Sequence, residues 1–202
     1  MNLPIAKEEI RTMETTLAPT LLTRALPRLD RRVRDILLVV TGTLFVAGMA
    51  QVRIPLPFTP VPITGQTFAV LLVGAVLGSR RGAASLLLYL ITGIAGLPFF
   101  AGGTSGLPAL LGPTGGYLIG FVAAAYLVGV LAARGLDRRI LSALLAFLAG
   151  EVIIYVCGVA WLSVFLGIQR AIVAGFLPFI IGDAIKLVAA ALALPAAWKF
   201  VK

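Results

Sequence analysis

Asp183 and Lys186 are the residues in this chain best equipped for chemistry. They carry opposite charges three positions apart, inside the apolar stretch 171–198, AIVAGFLPFIIGDAIKLVAAALALPAAW. Three positions along a helix put two side chains on one face. A charge in an apolar span is costly, so it faces a partner, a polar cavity or another charge. The carboxylate accepts hydrogen bonds and the ammonium donates up to three. Such a pair suits a small solute that carries both N–H and acceptor groups. It also suits a purely structural ion pair, although desolvation offsets much of that attraction.

Other polar groups stand in apolar surroundings. Glu151 has no opposite charge at helical spacing; it either orients the Asp183–Lys186 pair or touches a ligand, and Tyr155 adds a hydroxyl one turn on. Gln66 and Thr67 open a helix after a proline-rich segment, and Tyr89 and Tyr117 lie in neighbouring apolar stretches. Tyrosines favour bilayer interfaces for generic reasons, so those two carry the weaker signal. Phe176, Pro178 and Phe179 rim the approach to the pair, with Pro178 kinking the helix.

These residues need a membrane scaffold. The 202-residue chain is 60% hydrophobic and 12% charged, about half the charge of an average soluble domain. Its apolar stretches are too long and continuous for the roughly 10-residue alternating strands of a membrane barrel. The expected fold is an all-α integral membrane protein with six transmembrane helices, near 35–52, 64–77, 83–97, 115–133, 140–166 and 171–198. Residues 1–34 read as a basic leader, cytoplasmic or on the membrane surface, and residues 35–198 as the membrane domain. Pro55, Pro57, Pro60 and Pro62 force an extended connection after the first span. The charge-free segment 98–116, rich in glycine and proline, reads as an ordered loop. Gly74, Gly78 and Gly82, and likewise Gly116, Gly120 and Ala124, recur at the four-residue spacing of close helix packing. Gly42, Thr43, Ala47 and Ala50 form a small-residue surface that receives another subunit or packs inside the bundle.

Charge sets the expected orientation. With six spans, fourteen Lys and Arg residues fall on the side of the termini, and only Arg53 and Arg170 fall on the other. By the positive-inside bias both termini are then cytoplasmic. That distribution also explains the net charge of +9 without nucleic acid. No histidine and no GxxxxGK phosphate loop is present, so P-loop ATP hydrolysis is excluded for this chain. Catalytic residues, metal ligands and a cofactor are not expected. Cys157 reads as a small buried residue.

The runs IPLPFTPVPITGQTFAVLLVGAVLG (54–78), LYLITGIAGLPFFAGGTSG (88–106), GPTGGYLIGF (112–121) and GDAIK (182–186) together resemble the BioY family. These are biotin-binding S components of energy-coupling factor vitamin transporters. The likeness covers about residues 35–198. It implies a prokaryotic cell-membrane protein that captures external biotin and works with a membrane coupling subunit and two cytoplasmic ATPase subunits. It also implies reorientation of the subunit in the bilayer, with the proline-rich segment and the 98–116 loop gating an external pocket. The family's acid–lysine pair matches Asp183 and Lys186, its contacts at the start of the second span match Gln66 and Thr67, and its aromatic after a glycine pair matches Tyr117. Tyr89 lies in the matching third-span region. Glu151 joins the expected ligand set as a buried acid, not through the likeness.

Biotin's chemistry agrees with those residue types. Its ureido N–H groups need an acceptor, which Asp183 supplies. Lys186 meets either the ureido oxygen or the carboxylate. The alternatives are a transport subunit for another vitamin-like solute, and a non-transport membrane protein whose polar core is structural.

Overall fold

The structure is a computed structural model that describes residues 16–199. The leader positions Lys7, Arg11, Ile5, Ile10 and Met13, and Lys202 at the other end, lie outside the described residues. Leu17, Leu21 and Leu22 of the leader stand in α1 (Leu17–Ala25), which buries Leu17 and Pro19. Pro19 stands in the first turn, where a missing N–H costs no helical hydrogen bond.

Helix α2 (Arg31–Gln51) starts four residues before the expected span. The reason is a cap: Asp30 accepts the Arg32 N–H at 2.7 Å, satisfying a donor that the first turn leaves open. The small-residue surface of α2 packs inside the bundle. Thr43 donates to the Ser85 carbonyl at 2.9 Å, and a methyl on Gly42 would stand 2.6 Å from the Ser85 hydroxyl. The opposite face, including Ile36, Leu44 and Phe45, is exposed.

The proline-rich connection is a narrow ribbon whose ends meet. Strands β1 (Arg53–Ile54) and β2 (Ile63–Thr64) pair antiparallel, with Arg53 opposite Thr64 and Ile54 opposite Ile63. Val61 is buried while Ile54 and Phe58 are exposed, so only part of its apolar set turns inward. The ribbon leads into α3 (Gln66–Leu77), α4 (Ser79–Ile94) and the loop that follows. That loop is ordered, with a 3-10 turn at Ala101–Gly103 and the short α5 (Leu107–Leu111).

Helices α6 (Gly115–Ala133) and α7 (Ile140–Leu166) form the most extensive packing pair. Gly116 and Gly120 face Trp161 and Cys157 of α7, and Ala124 is buried. Those small residues therefore serve helix contact. Cys157 is half-buried rather than buried, with its Cβ against Gly120. Gly74 lies so close to α6 that a methyl there would sit 2.6 Å from the Ala125 carbonyl.

The last apolar stretch is two helices, not one kinked span. Helix α8 (Ile168–Gly175) ends at a 3-10 turn, Leu177–Phe179, and α9 (Ile180–Lys199) continues from it. Pro178 lacks the N–H that a continuous helix needs. Among the described residues, α2, α6, α7 and the α8–α9 stretch are long and apolar enough to cross a membrane, and α3 is a shorter apolar helix.

Specific contacts define two ends. At one, Arg81 pairs with Asp35 at 2.7 Å, Gly129 abuts Ser79, and Trp198 donates to Asp137 in the α6–α7 turn at 2.6 Å. At the other, Trp161 donates to the Gly112 carbonyl at 2.9 Å, Thr59 to the Ala174 carbonyl at 2.8 Å, and Gln51 to the Phe100 carbonyl at 3.3 Å.

A candidate ligand cavity

The second end encloses a cavity of about 390 Å³, a size suited to a small organic ligand. Its walls come from the ribbon, the 98–114 loop, α3, α6, α7 and α9. Asp183 and Lys186 lie at its base. Their side chains share the inward face of α9, with Nζ 2.8 Å from Oδ1. Lys186 also donates to the Thr64 carbonyl at 2.7 Å and the Thr67 hydroxyl at 3.2 Å. An ammonium has three N–H groups, so these partners offset the desolvation that burial imposes on it.

Asp183 is only 5% exposed, and its carboxylate gathers donors from three elements. Besides Lys186, Thr67 on α3 donates to Oδ1 at 3.1 Å, and Tyr155 on α7 donates to Oδ2. Phe176 packs edge-on against the Tyr155 ring at 4.8 Å, fixing its place. Tyr155 stands out as a site residue that the expected ligand set omitted. Its signal was available: four positions after Glu151, it shares that residue's helix face.

The expected residues divide by position. Gln66, Thr67, Tyr117, Asp183 and Lys186 line the cavity, as does Phe179. Tyr89 and Glu151 stand outside the lining. Tyr89 is wholly buried behind Gln66, accepts its amide N–H at 2.8 Å, and packs edge-on against Phe100. It thereby holds the Gln66 amide. Glu151 is buried beside Asp183. Tyr117 donates to the Gly175 carbonyl at 2.7 Å, and its ring fills the space where Gly158 and Gly175 lack side chains. At the mouth Arg53 reaches across to Gly102, whose φ of 71° and missing side chain permit that approach. Arg53 and Lys186 are the cations of the lining and Asp183 is its anion.

A sequence model of the BioY family matches residues 15–202. The chain belongs to the BioY family. Relatives in that family include the probable biotin transporter BioY of Pyrococcus horikoshii, 39% identical over 155 residues, 77% of this chain and 90% of that one. The biotin transporter BioY of Thermotoga maritima is 43% identical over 140 residues, covering 69% and 82%. Among solved structures, the S-component for biotin from an ECF-type ABC transporter superposes with a TM-score of 0.77 at 27% identity, covering 85% of this chain and 95% of that one. A mostly helical, multi-pass membrane architecture thus accompanies the likeness to that fold.

Proposed function

We propose that this protein captures external biotin as the S component of an energy-coupling factor transporter. The observation that carries the reading is the polarity of the cavity: acceptor and donor together at the base, a cation at the mouth. Asp183 accepts a ureido N–H, displacing Thr67, the partner held more loosely at 3.1 Å. Lys186, on the same face, donates to the ureido oxygen. The carboxylate then points toward Arg53, with the apolar chain between Phe179, Leu118 and Phe121. Gln66, Thr67 and Tyr117 shape the walls, while Tyr89 acts through Gln66.

In this reading the chain makes six crossings of a prokaryotic cell membrane. The short α3 completes its crossing with the ribbon, and the α8–α9 break lies on the external side. The arginine-rich end faces the cytoplasm with both termini. ATP hydrolysis belongs to two cytoplasmic subunits, joined to this one through a membrane coupling subunit, and this chain is not an enzyme.

Equilibrium binding to purified protein in detergent or nanodiscs tests the assignment. Biotin is expected to bind far more tightly than thiamine or riboflavin; equal affinity for all three overturns biotin as the solute. Arg53→Ala is expected to remove the preference for biotin over its neutral methyl ester. A preference that survives in R53A places the carboxylate elsewhere.

A further inference from the structure

Glu151 is 4% exposed, and its Oε1 has no hydrogen-bond partner among the described residues. Its carboxyl abuts that of Asp183 and lies within electrostatic reach of Lys186. The charged and titratable groups facing it are Asp183 and Lys186 from α9 and Tyr155 from its own helix. From α6 the titratable group of this cluster is Tyr117, which interacts with Tyr155, and α3 contains no titratable residue. The single ammonium already matches the single charge of Asp183 at 2.8 Å. A second bare carboxylate would meet like charge in an apolar bundle and leave lone pairs unsatisfied. A proton resolves both problems, because a carboxylic acid donates one hydrogen bond and a neighbouring carboxylate accepts it.

We infer that Glu151 is a neutral carboxylic acid whose O–H donates to Asp183, making it a positioning residue beneath the ligand rather than a ligand contact. Tyr155 and Glu151 hold the Asp183 carboxylate from the α7 side, and Lys186 and Thr67 from the cavity side. The group then presents a fixed acceptor edge to an incoming N–H. The base of the cavity carries no net charge, leaving Arg53 as the lining's unbalanced cation. Selectivity for a monoanionic solute follows: a charged Glu151 would cancel that excess and repel the ligand.

The inference builds on the biotin reading, and the experiment separates the two. Infrared difference spectra of wild type minus Glu151→Gln, in nanodiscs at neutral pH and without ligand, read the proton directly. A carboxylic acid C=O band that shifts in D2O is expected. A difference showing only a lost carboxylate band overturns the inference, whatever the solute. In binding, Gln keeps an N–H donor and no charge, so Glu151→Gln is expected to hold biotin within about threefold of wild type, while Glu151→Ala weakens it about tenfold. Tenfold or greater loss in E151Q would show that the anion itself is needed, and also overturns the assignment. If wild type binds no biotin, the solute reading fails while the infrared band still decides the state of Glu151.

Discussion

Two buried carboxylates sit at opposite ends of this bundle, in unlike settings. Asp183 collects donors from α3, α7 and α9 and borders a cavity. Asp137, 2% exposed, accepts a single side-chain hydrogen bond from Trp198, and its Oδ1 has no partner among the described residues. Arg138 lies over the Trp198 ring, 4.9 Å from its centre. Burial of an acid therefore does not mark a binding site. Convergence of donors from several elements, next to space, distinguishes the two. Asp137 fastens the end of α9 to the α6–α7 turn, whereas Asp183 is held ready for something that enters.

The comparison breaks most sharply at Asp183. Asp183→Asn removes the charge from its hydrogen bonds with Lys186 and a ligand N–H, worth about 1.5–3 kcal/mol each. Biotin affinity is expected to fall at least tenfold and up to about a hundredfold, with the protein still folded by size-exclusion and circular dichroism. Unchanged affinity in folded D183N removes Asp183 from the site. Next comes Gly158→Ala, which crowds the Tyr117 ring. Overpacking of this kind costs about 1–3 kcal/mol, so a lower melting temperature and weaker binding are expected together.

The smallest binding effect is expected at Asp137. Burial pushes its carboxyl above the usual value, only partly offset by hydrogen bonds and by Arg138. A raised carboxyl favours the folded state when protonated, and that contribution is lost as pH rises through the raised value. Wild-type thermal stability relative to Asp137→Asn is therefore expected to decline with increasing pH, in scanning fluorimetry above pH 3.8. Biotin affinity of D137N is expected to stay within about twofold of wild type. A tenfold loss there would erase the distinction between the two ends.

Much of this architecture is written in side-chain type. Long apolar stretches, arginines at turns and glycines at four-residue spacing announce helices and their close packing. Charge spacing alone brings Asp183 and Lys186 to one face. What escapes a linear reading is anything made by backbone or by convergence of distant elements. The Thr64 carbonyl that receives Lys186 has no side-chain signature. The roles of Tyr89 and Glu151 behind the cavity wall depend on which neighbours stand in front of them. The ribbon pairing of Arg53 with Thr64 joins residues on either side of four prolines, whose types signal extension but not return. Asp30 shows the finer limit: one capping hydrogen bond moves a helix start by a turn.

The break between α8 and α9 has a mechanical consequence. Where a helix ends, its last carbonyls need new donors. Here Ala174 receives the Thr59 hydroxyl and Gly175 the Tyr117 hydroxyl. The interrupted helix is thus a hook on which the proline ribbon hangs over the cavity. A single neutral hydrogen bond of this kind is worth about 0.5–1.5 kcal/mol, so Thr59 is a light fastening beside the buried Val61. The same break makes α9, with the charged pair it carries, a separate helix from the one that holds the hook.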